Sequence, residues 1–202
     1  MQAPLLAVAG PSGGGKTTLA KHLALNFAPL RPVLLSLDRY YRDLSRLAPG
    51  ERGQGNFDDP RAIEWPLLRR HLRQLAEGRA VQVPHYDFTS HTRLPLPLGP
   101  TGLTILEGIF ALHEKVRDLV DHGVYVDLPR EQCLRRRLER DVAQRGRSPE
   151  DVLRQFRETV EPMFRLHVLP TRAAANLVVR GDAPLEQTSR LVEQLLTRRK
   201  QA

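Results

Sequence analysis

The 202-residue chain has a single cysteine, Cys133, which excludes an internal disulfide framework and fits a reducing compartment. Lysine is nearly absent: Lys16, Lys21, Lys115 and Lys200 stand against 27 arginines in a chain of net charge +8. No apolar run approaches the roughly 18 residues needed to cross a bilayer. No basic n-region of a secretory leader precedes the first apolar segment. These absences point to a cytoplasmic protein without membrane contact. No repeat and no Ser/Gly-rich tract divides the chain, so residues 1–202 are expected to fold as one domain. Asp-x-x-Gly and Asn-Lys-x-Asp, the switch and guanine-reading elements of a GTP-driven switch, are also missing.

Against these gaps stands one dense local signal. Residues 10–18 read Gly-Pro-Ser-Gly-Gly-Gly-Lys-Thr-Thr, directly after the apolar run Leu5–Ala9. Gly10, Gly15, Lys16 and Thr17 fill the G-x-x-x-x-G-K-[ST] pattern of a phosphate-binding loop. Glycines let the backbone curl so that successive N–H groups point inward, and the following helix adds its positive end. Gly10, Ser12, Gly13, Gly14, Gly15, Lys16, Thr17 and Thr18 are therefore the expected nucleotide seat. In it Lys16 reaches the terminal phosphates and Thr17 carries Mg²⁺.

Short apolar runs alternate with helical patterns along the rest of the chain. Strands are expected over Leu5–Ala9, Val33–Leu37, Leu103–Leu106, Val124–Val126 and Leu177–Val179. Helices are expected over Lys16–Asn26, Ile63–Glu77, Glu114–Val120, Glu131–Arg145, Glu150–Leu169 and Leu185–Arg198. This alternation implies an α/β fold, a doubly wound parallel sheet with flanking helices and ligands at the carboxyl ends of its strands. Ser148-Pro149-Glu150-Asp151 reads as a helix start. Gly146 then separates two helices, and residues 131–150 read as a helical arginine lid. Arg39–Pro60 and Val81–Pro100 fit no helix, and the second reads as a small hairpin beside the main sheet.

Several residues could carry chemistry. Asp38 closes the second apolar strand, where a carboxylate could align an acceptor hydroxyl, although aspartate also starts ordinary turns there. Glu107 ends the Leu103–Leu106 strand beside the loop, as a Mg²⁺ carboxylate or as a strand-terminating acid. Six arginines between Arg135 and Arg147 form either a charge-neutralising lid or a solvated helix face. Tyr86, Phe88 and His91 could stack on a planar base, or form one buried strand face and a surface histidine.

Taken together, these segments resemble the uridine–cytidine kinase family, with phosphoribulokinases the nearest branch. The resemblance runs through Asp38-Arg39-Tyr40-Tyr41, Asn56-Phe57-Asp58-Asp59-Pro60, Tyr86-Asp87-Phe88-Thr89-Ser90-His91-Thr92-Arg93, Glu107-Gly108-Ile109, Arg136–Asp141, Arg145-Gly146-Arg147 and Pro162-Met163. It implies a P-loop NTPase-type kinase that moves the γ-phosphate of ATP, with GTP as an alternative donor, to the 5′-hydroxyl of uridine or cytidine. It also implies a small-molecule nucleoside partner rather than nucleic acid, and a homo-oligomer. Asp38 would face the 5′-hydroxyl. Asp58, Arg137 and Arg147 would hold the 2′- and 3′-hydroxyls. Tyr86 and His91 would read the base edge, between Phe57 and Phe88, with Tyr41 and Gln155 facing the substrate. Arg140 and Arg145 would clamp phosphates, and Thr17 with Glu107 would organise Mg²⁺. Gly14, Arg39-Tyr40, Asp59 and Asn176 depart from the family's usual serine, Ser-Phe, histidine and aspartate. A phosphoribulokinase-like sugar-phosphate kinase is the alternative. A nucleic-acid-binding module is disfavoured because the arginines cluster at the lid.

Overall fold

The computed structural model describes residues 3–52, 55–87 and 90–198. Its strands are β1 (Leu5–Ala9), β2 (Pro32–Ser36), β3 (Val81–Asp87), β4 (Thr92–Leu98), β5 (Leu103–Glu107), β6 (His122–Asp127) and β7 (Leu177–Arg180). Its α-helices are α1 (Lys16–Asn26), α2 (Pro49–Arg52), α3 (Trp65–Ala76), α4 (Glu114–Arg117), α5 (Arg130–Arg145), α6 (Pro149–Gln155), α7 (Glu161–Met163) and α8 (Leu185–Arg198).

Five strands form one sheet in the order β2-β5-β1-β6-β7, every ladder parallel. The continuous apolar sequence of β1 follows from its central place, because a parallel strand covered by helices is buried on both faces. Leu5, Ala7 and Ala9 point to one face and meet Leu68, Leu72 and Leu75 of α3. Leu6 and Val8 point to the other and meet Leu19 and Leu23 of α1 and Val192 of α8. The chain order puts β2 and β5 on one side of β1 and β6 and β7 on the other, so the carboxyl ends of β1, β5 and β6 open onto a switch point. β3 and β4 form a separate antiparallel hairpin, as expected for residues 81–100.

The parallel sheet and all six expected helices are present, with differences in extent. β2 ends at Ser36, and Leu37–Tyr40 form a 3₁₀ turn, so Asp38 lies inside that turn, two residues past the strand, rather than at the strand's end. Leu37 sits in the core with no exposed surface, which is why it reads as a strand residue. The segment Arg39–Pro60, expected to lack helix, holds part of this turn and the single-turn α2. α3 starts at Trp65 rather than Ile63, because Ile63 bridges Tyr41 as an extended residue. α4 stops at Arg117, three residues short of the expected end.

The expected helix Glu150–Leu169 is helical throughout but not uniform. α6 passes into a π turn (Phe156–Val160), α7, a second π turn (Phe164–Val168) and a 3₁₀ stretch (Leu169–Ala174). Pro162 and Pro170 account for the interruptions. Each lacks an N–H and crowds the carbonyl four residues back, and a widened turn relieves that clash. Ser148 caps α6, its Oγ accepting from the Asp151 N–H (3.1 Å), and Gly146 ends α5 with φ +62°.

Candidate active site

The glycine loop joins β1 to α1, and its shape is set by main-chain crowding. Gly10 and Gly13 have φ of +141° and +78°. A Cβ would lie 2.3 Å from the Val126 carbonyl oxygen at Gly10 and 2.4 Å from that of Cys133 at Gly13. Across the loop, a Cβ on Gly181 would come within 2.0 Å of the Gly14 oxygen. No residue but glycine fits these three positions without moving backbone. Gly15 caps α1, so the helix N-terminus opens into the loop.

Lys16 is buried, and its Nζ donates to the Pro11 carbonyl of its own loop (2.8 Å). Burial lowers the Lys16 pKa, and the negative charges of Glu107 and Asp38 oppose that shift. Thr17 Oγ1 donates to Glu107 Oε2 (3.1 Å), joining the loop to the end of β5. A hydroxyl and a carboxylate side by side are hard oxygen donors of the kind Mg²⁺ takes alongside phosphate oxygens and water. The two residues therefore fit that ion. Among the described residues no cluster of three or more His, Cys, Asp or Glu forms a separate metal cage.

The arginine face of α5 turns toward this loop. Arg137 Nη1 donates to Ser12 Oγ (3.0 Å) and Nη2 to Gln155 Oε1 (2.9 Å). Arg147 Nη1 donates to the same Gln155 oxygen (2.5 Å). Arg140 Nε donates to Asp141 Oδ1 (2.8 Å), and Arg137 Nε lies 3.5 Å from Asp141 Oδ2. Asp141 has no exposed surface and anchors both arginines, a role its sequence neighbourhood did not reveal. Arg136 donates to the Gly181 carbonyl (3.0 Å), bracing the loop from behind. The α5 backbone includes Arg145, whose side chain lies outside the described residues.

Asp58 lies close enough to Arg137 and Lys16 to sense both charges. Burial lifts its carboxyl above the usual aspartate range, and those two cations pull it down. A raised pKa means the folded state holds this proton more tightly than the unfolded chain. Ionised Asp58 therefore costs stability at neutral pH, and that cost is relieved as pH falls through the folded pKa. Asp58→Asn is expected to melt higher than wild type at pH 7, the gap closing on acidification, while the acceptor KM rises about 10-fold or more from loss of charged hydrogen bonds. Thermal melts across pH 4–8 check this, and a lower melting temperature for the variant at pH 7 would contradict it.

Beyond Asp58 four rings meet. Tyr41 contacts Phe57 edge-on (centroids 5.0 Å) and Tyr86 (5.7 Å), and Phe57 stacks on His91 (5.3 Å, 13° between planes). The Tyr86 hydroxyl hydrogen-bonds His91 Nδ1 (3.1 Å), and burial pushes the Tyr86 pKa up to about 12. The aromatic set is thus both a packed strand face, since Tyr86 is 4% exposed, and a wall with a polar tip. Phe88 lies outside the described residues. Arg93, which sequence reasoning left without a role, donates to the carbonyls of Tyr40 (2.9 Å) and Tyr41.

Phosphate loop, cationic helix, carboxylates and aromatic wall converge at the open end of one parallel sheet. Among solved structures the fold is matched by D-glycerate 3-kinase from Cryptococcus neoformans (TM-score 0.65, 18% identity, 91% of this chain and 88% of that one). It is also matched by phosphoribulokinase from Rhodobacter spheroides (TM-score 0.64, 16% identity, 91% and 74%). At these identities the likeness concerns the fold. In sequence, a curated uridine kinase of Shewanella amazonensis is 40% identical over 185 residues, covering 88% of this chain and 87% of the relative. The sequence profile of the phosphoribulokinase / uridine kinase family matches residues 5–186, which hold every strand of the sheet, and the chain belongs to that family.

Proposed function

We infer that this kinase transfers the γ-phosphate of ATP to the 5′-hydroxyl of a pyrimidine ribonucleoside, uridine or cytidine, and acts in the cytoplasm. The observation that carries the reading is the hydrogen-bonded cluster of Arg137, Gln155 and Arg147 against Ser12 of the phosphate loop, within electrostatic reach of Asp58, together with the Tyr41–Phe57–Tyr86–His91 ring cluster that includes the residue before Asp58. A buried carboxylate within electrostatic reach of an arginine suits a vicinal diol, the one accepting hydrogen bonds from its hydroxyls and the other donating to its oxygens. An aromatic cluster whose polar tips are a hydroxyl and an imidazole suits a planar base with a polar edge.

In this reading the loop amides and Lys16 hold the β- and γ-phosphates. Phosphate oxygens replace the Pro11 carbonyl as the partner of Lys16 Nζ. Asp38 aligns the 5′-oxygen and takes its proton late, as a loose phosphoryl transition state requires. Arg140, oriented by Asp141, offsets charge on the transferring group, and Arg145 on the last turn of α5 shares that task. Arg147 and Gln155 complete the wall around the pentose. Mg²⁺, held by Thr17 and Glu107, would neutralise phosphate charge when bound.

A steady-state panel tests the reading, with uridine, cytidine, their 2′-deoxy forms, adenosine and ribulose 5-phosphate as acceptors and ATP and GTP as donors. Turnover of the two pyrimidine ribonucleosides above the others is expected. Preference for ribulose 5-phosphate would instead assign the sugar-phosphate branch of the family.

A further inference from the structure

The base-facing hairpin and the segment 37–44, which opens with the turn carrying Asp38, are separate in sequence, yet two hydrogen-bonded ties join them. One is main-chain: Leu44 N–H donates to the His91 carbonyl (3.1 Å). The other is Arg93, only 11% exposed, which stands directly across the hairpin from Tyr86 and so shares its face. Its Nη2 donates to the carbonyls of Tyr40 and Tyr41, and its Nη1 pairs with Glu64 (2.5 Å). Glu64 is the N-cap residue of α3, and its own N–H donates to the Tyr40 carbonyl (2.8 Å). The guanidinium thus fastens three elements at one point: β4 under the base wall, the 3₁₀ turn of Asp38, and the start of α3. An arginine fork suits this task because its donors are rigidly spread, whereas a lysine ammonium cannot hold the same fan of acceptors.

The ends of this linkage are chemically distinct. Tyr86 and His91 lie on the hairpin side, and His91 holds a left-handed backbone (φ +54°), uncommon outside glycine though histidine is among the residues that adopt it. Its N–H donates to the Asp87 carbonyl (2.8 Å) and its carbonyl accepts from Leu44, so any shift of the ring is passed to the backbone beyond Asp38. On the other side, Tyr40 follows Asp38 by two residues within the same turn. The Tyr40 hydroxyl is hydrogen-bonded to His71 Nδ1 (3.0 Å), so the same turn is also tied to α3, whose first residues Arg93 reaches through Glu64.

We propose that Arg93 is a positioning residue that couples engagement of the acceptor's base by the hairpin to placement of the Asp38 carboxylate. The proposal rests on the function inferred above. Base binding then contributes to turnover as well as to affinity. An acceptor that leaves Tyr86 and His91 unengaged binds with Asp38 out of line.

The test is a kinetic cycle with wild type and Arg93→Met, each assayed with uridine and with its analogue lacking the O4 edge, 2-pyrimidinone riboside. In wild type, loss of the base edge is expected to lower kcat about 30-fold. Arg93→Met is expected to lower kcat for uridine by about the same factor while KM for uridine and ATP moves less than about 3-fold. With the analogue, the variant is expected to lose little more, so the two losses do not add. Arg93→Lys, which keeps the charge and one acceptor contact, is expected to fall between, and it carries the test if Arg93→Met does not fold. Losses that multiply, or a change confined to KM or to melting temperature, would overturn the coupling and leave only a structural arginine. Uridine turnover by wild type is the control for the function itself. Without it both readings fall, whereas turnover with multiplying losses removes Arg93 alone.

Discussion

Asp38→Asn should abolish phosphoryl transfer while leaving the nucleotide seat intact. A drop in kcat of about 10³-fold or more is expected, because asparagine keeps the shape of the side chain but cannot take the acceptor's proton. Asp38 follows β2 at the open edge of the sheet, and its charge is felt by Lys16 in the loop. The acceptor oxygen would lie between them. KM for ATP should change less than about 3-fold, since loop amides, helix N-terminus and Thr17 are untouched. Single-turnover assays with fluorescent nucleotide binding as a control separate the two effects. A variant that turns over within 10-fold of wild type would remove Asp38 from the chemistry.

The second large effect belongs to a residue that should never touch substrate. Asp141 is fully buried, accepts from Arg140, lies within ion-pair distance of Arg137, and receives the Arg147 N–H on its carbonyl (3.2 Å). Asp141→Asn would leave two cations facing a neutral amide, and breaking a buried pair in this one-sided way costs about 3–5 kcal/mol. Arg140 is a third exposed, so water screens part of the loss and the lower end applies. At about 2–4 °C per kcal/mol for a chain of this size, the melting temperature should fall by roughly 6–12 °C. The arginines would also lose their set orientation, and kcat/KM should fall about 100-fold, with the larger share in kcat. Calorimetry and the nucleoside assay check both numbers. Unchanged turnover in a folded variant would mean the lid arginines orient themselves without Asp141.

The glycine loop was legible because its own glycines, lysine and threonine lie within nine positions, even though the main chain that crowds them comes from residues 126, 133 and 181. The parallel sheet was legible because strands buried on both faces carry unbroken apolar runs. The hairpin was legible from the alternation of Val81 and Val83 before Tyr86. What escaped was tertiary or main-chain in origin. Leu37 looked like the last residue of a strand, since burial is all a pattern reports, yet it opens a turn. Nothing in the spacing of residues 150–169 announces π turns, which arise from fitting Pro162 and Pro170 into a continuous helix. Arg93 stood inside a recognised segment, but its partners are two carbonyls more than 50 residues away and the Glu64 carboxylate 29 residues away. Asp141 was hidden in a run of charges, where a solvated face is the ordinary expectation.

The phosphate loop has a property that outlasts its sequence. The atoms pressing on Gly10, Gly13 and Gly181 are carbonyl oxygens of Val126, Cys133 and Gly14. Drift at position 133 can therefore swap one apolar side chain for another without altering the mould, whereas Val126 also enters it by side chain, its Cγ1 lying 3.0 Å from where a Cβ on Gly181 would sit. Mutational tolerance around the seat should be all-or-nothing: generous at its neighbours and nil at the glycines themselves.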